Sequence, residues 1–165
     1  MFENILGFFR KRKIKKYISD IPTGILPLSG ISTVNVVIDV EEPEFDVLKE
    51  EILAWGRKLG QEELLLTSIT TTIIKKELDW LGTPDLSKIS ALLEEPSDLF
   101  ISLIENGNFP IEFVSKCAKS RFKIGRQSFP GHAYDMVISG SPTEDLRSDV
   151  RRIFAGMTEF LEKVR

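Results

Sequence analysis

The sequence predicts an α/β fold: one three-layer α/β/α sandwich around a mainly parallel sheet of about five strands. Short β-branched runs such as "STVNVVIDV" (residues 32–40) and "DLFISLI" (98–104) are apolar almost throughout, as strands covered on both faces must be. Between such runs lie segments with apolar residues at steps of three and four, the spacing of a helix that buries one side. A chain of 165 residues, 42% hydrophobic and 28% charged, is long enough for one domain with one real core.

The elements follow in chain order. Residues 1–21 read as a basic amphipathic helix and 22–165 as the α/β domain. After the first strand, Pro43 suits a first helical turn, and Phe45, Leu48, Ile52, Trp55 and Leu59 draw one apolar face that stops before Gly60. "ELLLTSIT" (63–70) reads as the second strand. The next stretch, "TTTIIKKELDWLG", is open between a continued strand, a further strand and irregular structure that buries Trp80 and Leu81. Thr83 is expected to cap a short helix with Pro84 in its first turn and Ile89, Leu92 and Leu93 inward. "DLFISLI" is the central strand, and Pro110 opens a helix burying Ile111, Val114, Cys117 and Ala118. "RFKIG" is a short strand, "RQSFPGHA" a loop and "YDMVISG" a strand near the end of the sheet. "SPTE" (141–144) combines a capping serine, a first-turn proline and a glutamate three residues on, so it predicts the start of a last helix. Leu146, Val150, Ile153, Phe154, Met157, Phe160, Leu161 and Val164 are its core positions.

Composition removes several function classes. With one cysteine, Cys117, and one histidine, His132, the chain has too few ligands for a zinc site and no partner for an internal disulfide, so neither a metal nor a cofactor is expected. Cys117 falls among apolar helix positions and reads as core; a reduced, cytoplasmic setting fits. No stretch approaches the ~20 apolar residues of a membrane span, and the N-terminal apolar run is followed by its positive charges, unlike a secretory signal.

Charge is unevenly placed. "MFENILGFFRKRKIKK" holds six basic residues and one acid, a local +5 on a chain of net −3, leaving −8 on the remaining 149 residues. Phe2, Ile5, Leu6 and Phe9 share a helical face, Arg10, Lys11, Arg12 and Lys13 follow as a block that wraps round the helix, and Ile14, Tyr17, Ile18 and Ile21 face another way. Phe2 and Phe9 with the four basic residues are the candidates for an anionic membrane surface. The competing expectations are a terminal helix packed on its own domain, and nucleic-acid phosphates. The last is disfavoured because no basic groove with interleaved aromatics appears elsewhere.

In a parallel sheet, ligands bind beyond the carboxyl ends of the strands. The candidates there are Asp39, Ser102, Asn106, Asn108 and Arg126. "ENGN" has a single glycine, no GxGxxG, P-loop or GxSxG motif occurs, and Glu41, Glu42 and Glu105 would repel a phosphate. Asn108 reads first as a helix cap after a turn at Gly107, and Arg121 and Arg126 stand on opposite faces of a regular strand.

The order "DWLG", "DLFISL", "FVSKCAKSRFKIGR", "DMVI", preceded by a basic helix, resembles a family of small uncharacterised bacterial α/β proteins known as a domain of unknown function. The resemblance covers most of the chain and implies a Rossmann-like or flavodoxin-like sandwich, with no activity and no catalytic residues to carry over. "DLFISLIEN" followed by "FVSKCAKSRFKIGR" is also similar to the N-terminal, acceptor-side half of heptosyltransferase-type glycosyltransferases, over about 30 residues. Those enzymes bind their nucleotide sugar largely through a second domain.

The expectation is therefore a non-catalytic cytosolic α/β domain acting through a protein partner at the inner membrane surface. The alternative is a small ligand-binding protein or enzyme that takes a nucleotide or sugar nucleotide in the carboxyl-end crevice. The oligomeric state is left open, since the sequence does not say which strands form the sheet edges.

Overall fold

The computed structural model describes residues 2–18, 20–60, 64–68, 77–105, 107–139 and 149–165. Its elements are α1 (Phe2–Tyr17), β1 (Val34–Ile38), α2 (Phe45–Lys58), β2 (Leu65–Ser68), α3 (Ser90–Glu94), β3 (Ser97–Ser102), α4 (Phe109–Cys117), β4 (Ser120–Gly125), β5 (Met136–Val137) and α5 (Asp149–Lys163). The five strands form one sheet in the order β2-β1-β3-β4-β5, every pairing parallel. Register aligns Leu66, Val36, Ile101, Ile124 and Met136 as one apolar row across the whole sheet.

Alternation along the strands divides the core in two. Val36, Ile38, Leu99, Ile101 and Ile124 pack against Leu48, Ile52 and Trp55 of α2 and Val150, Ile153, Phe154 and Met157 of α5. Val37, Phe100 and Ile104 pack on the other side against Ile14 of α1, Leu92 of α3 and Ile111, Phe113, Val114 and Cys117 of α4. Burying two faces of one sheet requires this three-layer arrangement, and all five residues of β1 are buried accordingly.

The expected strands are present with shifted ends: β1 is shorter than 32–40, and β4 gains Ser120. Among the described residues of the expected 134–140, only Met136–Val137 are strand, and Tyr134, just before them, puts its ring in the core. Thr83 does not cap a helix. Asp79 takes control of that turn instead, its Oδ1 accepting from Leu81 N (2.9 Å) and Thr83 N (2.8 Å), while Leu78 and Pro84 form an isolated bridge; the helix starts only at Ser90. Leu81 is buried as expected, but Trp80 is not: it is 71% exposed. The expected capping box at 141–144 and Leu146 lie outside the described residues.

Candidate functional site

The strand order is the flavodoxin-like one, and it reverses direction between β1 and β3, where the crevice of such a sheet opens. Arg126, directly after β4 and only 5% exposed, reaches across this region. Its Nη1 donates to Glu42 Oε1 after β1 (2.8 Å) and to Leu103 O after β3 (3.3 Å), and its Nη2 to Glu105 Oε2 at 3.4 Å. The guanidinium thus ties three strand ends together. One arginine facing two glutamates leaves a net negative cluster, so a phosphate arriving here would have to displace them.

The other crevice candidates are also engaged. Asp39, half-buried after β1, accepts from Glu41 N at 2.9 Å in a local turn. Burial pushes its carboxyl pKa up, the backbone hydrogen bond opposes this, and the Glu41 charge adds to it. Asn108 caps α4 through Oδ1, which accepts from Ile111 N at 3.3 Å, with Pro110 in the first turn. Ser102 is fully buried on the face that carries Phe100 and Ile104, turned toward α4. Its Oγ has no ordinary hydrogen bond, although it lies beside the Tyr134 hydroxyl, which pairs with Ser115 Oγ at 2.6 Å. Asn106 lies outside the described residues.

The basic N-terminal helix is docked on the domain by part of its charge. Arg10 Nε donates to Leu81 O at 2.8 Å, and its guanidinium lies 4.3 Å from the Phe109 ring centroid. Lys13 pairs with Asp79, Ile14 is buried, Cys117 Sγ lies 3.8 Å from Ile14 O, and Tyr17 meets Phe113 edge-to-face. The basic block is therefore split: Arg10 and Lys13 face the domain, while Lys11 and Arg12 are exposed together with Lys15 and Lys16. Ile18, grouped in sequence with Ile14 and Tyr17, is exposed.

The outer face of α1 has a distinct composition. Phe2 (76% exposed), Ile5, Phe8 (62%) and Phe9 project along its first half, and Arg12, Lys15 and Lys16 continue the same face one and two turns on. Trp80 extends the apolar part, its ring edge-to-face with Phe9 at 5.7 Å. Phe8 and Trp80 were absent from the expected set. Phe8 sits one residue off the Phe2–Phe9 spacing, and Trp80 is nearly as far along the chain as half its length, so only the fold places them together.

A cavity of about 860 Å³ lies between α1, α4 and the β4–β5 connection. It exists because residues 126–135 form turns rather than a covering helix. The strand announces this: Phe122 and Ile124 face the α2–α5 core, whereas Arg121, Lys123 and Gly125 alternate with them on the other side. At the cavity wall Lys123 Nζ donates to Ser115 O (2.9 Å) and Lys116 O (3.1 Å), the last carbonyls of α4. Burial pulls its pKa down to about 8, against the opposing charge of the Asp135 carboxylate.

Among the described residues no group of three or more His, Cys, Asp or Glu side chains could hold a metal ion, and no helix is long and apolar enough to cross a membrane. Cys117 is buried, and burial holds its thiol up at about 12, so it is no nucleophile at neutral pH. Fold and surface together define a flavodoxin-like α/β domain that spans its own crevice with an Arg–Glu network and presents an aromatic, basic helix face. The chain belongs to a family of unknown function (DUF6913), whose family model matches residues 7–148. No curated protein and no solved structure matches it.

Proposed function

We propose that this chain is a non-catalytic α/β domain that docks on an anionic membrane surface through the outer face of α1 and Trp80, presenting its body to a protein partner. The observation that carries this is the exposed row Phe2, Phe8, Phe9 and Trp80 continued by Arg12, Lys15 and Lys16. Aromatic rings partition into the headgroup boundary, and each basic residue near an anionic surface adds about 1 kcal/mol. A duplex nucleic acid asks for charge alone and gives no use to four exposed apolar rings.

The remainder of the chain supports the same orientation. Removing residues 1–16 leaves −8 on the rest, which an anionic surface repels and so turns outward. The crevice where this fold elsewhere takes ligands is tied by Arg126, Glu42 and Glu105, which favours a partner-binding role over catalysis. Vesicle flotation of the full chain tests the proposal. Recovery with phosphatidylglycerol-containing vesicles, and none with phosphatidylcholine alone, is expected; equal recovery with both or with neither overturns it. Deleting residues 1–16 is a poor control, because it would uncover the α4 core under Ile14.

A further inference from the structure

We infer that the cavity between α1, α4 and the β4–β5 connection binds a small amphiphilic anion, a carboxylate or phosphate with an apolar tail, and that Lys123 meets its negative charge. The volume of about 860 Å³ falls within the range of small-molecule sites. Its lining is divided: Ile14, Ile18, Ile21 and Phe109 supply an apolar side, and Lys11 and Lys123 a cationic one.

Charge accounting within the cavity leaves two lysines, Lys11 exposed at the rim and Lys123 on the wall, and Lys123 is the more buried of them. Lys116 is paired with Glu112 and also donates to Pro130 O at 2.7 Å, and Arg10 is committed to Leu81 O and the Phe109 ring. Lys123 reaches only two backbone carbonyls and makes no salt bridge among the described residues, which leaves one of the three donors of its ammonium group uncommitted. Its nearest acid, Asp135, spends Oδ2 on the Lys123 backbone N–H at 2.8 Å. A partly buried ammonium whose acidic neighbour, Asp135, is engaged by the backbone raises the free energy of the empty domain, and an anion entering the cavity relieves it. The apolar side then takes the tail. Glu112 and Asp135 disfavour a polyanion, so a single headgroup charge fits best. This site stands on other residues than the membrane-facing row, and neither proposal depends on the other.

Isothermal titration of the full chain with decanoate and with decyl phosphate, each below its micelle concentration, tests the inference. Inorganic phosphate and decanol serve as the tail-less and charge-less probes. Saturable one-to-one binding of at least one of the two anions is expected, at least tenfold tighter than either control, and the tighter anion names the headgroup. Lys123→Gln should weaken binding at least tenfold. Gly7 lines the cavity and has nothing within 4 Å of an added Cβ, so Gly7→Phe should project a ring into the space and weaken binding at least tenfold. Absence of saturable binding by either anion, or binding that survives Gly7→Phe unchanged, overturns the inference even if the lysine variant fails to fold.

Discussion

The ring of Tyr134 lies against the backbone of Gly125, so close that a Cβ at position 125 would stand 2.2 Å from two ring carbons. Glycine is the only residue that leaves this room, because the obstacle is a buried ring held by its hydroxyl to Ser115. Gly125→Ala should therefore destabilise by about 1–3 kcal/mol or more, as other forced overpacking does. In a Tyr134→Ala background the penalty should largely vanish; equal costs in both backgrounds, by urea unfolding, would refute the contact.

The two serines near that phenol should behave oppositely. Tyr134→Phe or Ser115→Ala breaks the 2.6 Å hydroxyl pair and leaves one buried partner unmatched, at a cost of about 1–2 kcal/mol. Ser102 Oγ is buried without an ordinary partner, so Ser102→Ala should leave the melting temperature unchanged or raise it. A large loss in Ser102→Ala would show that this hydroxyl is used.

Stability should rise between pH 8 and pH 9, and Lys123 is the reason. Its folded pKa of about 8 lies below its ordinary 10.5, so over this interval the unfolded chain binds more protons than the folded one, and raising the pH favours folding. Below pH 8 both states are charged and the burial penalty is present in full. Cys117 acts in the opposite sense above pH 9, since its folded thiol keeps its proton up to about 12 while the unfolded one loses it. Denaturant midpoints from pH 7 to 9 should climb in the natural chain and stay flat in Lys123→Met. Parallel slopes would contradict the assignment.

Docking of α1 should depend on Arg10 specifically. The guanidinium donates to Leu81 O while stacking on Phe109, two contacts that a lysine cannot make together. Arg10→Lys and Arg10→Ala should both speed amide exchange across α1, with little change in α2 or α5 on the opposite face. Uniform acceleration through the whole domain would point to global destabilisation instead.

How much of this was legible in the sequence follows from the range of each interaction. β1, apart from Asn35, and the Leu99–Ile101 centre of β3 are apolar and covered on both faces, and α2 keeps a strict three-and-four spacing, so local pattern sufficed. The helix expected from Thr83 is absent because Pro84 pairs with Leu78, six residues earlier, and the buried Thr83 Oγ1 makes no cap bond. Arg126 stands directly after β4, but its partner was not legible: Glu42 lies 84 positions away, and no periodicity links the two. The split of the basic block on α1 had the same origin, since Arg10 and Lys13 turn inward toward Leu81 and Asp79, more than 60 positions on. Lys123 was overlooked, although the alternation of "RFKIG" marked that side of β4 as lacking a helix to cover it.

Trp80 gives the most direct measurement of surface docking. The chain has two tryptophans; Trp55 is buried against Phe154, while Trp80 is exposed beside Phe9, so a change in emission on adding vesicles reports on the proposed face. With phosphatidylglycerol-containing vesicles at low salt, the emission should shift to the blue and be quenched by brominated acyl chains. The response should fade with added salt and be absent in Trp80→Phe. Unshifted, unquenched emission at saturating anionic lipid would contradict the central claim.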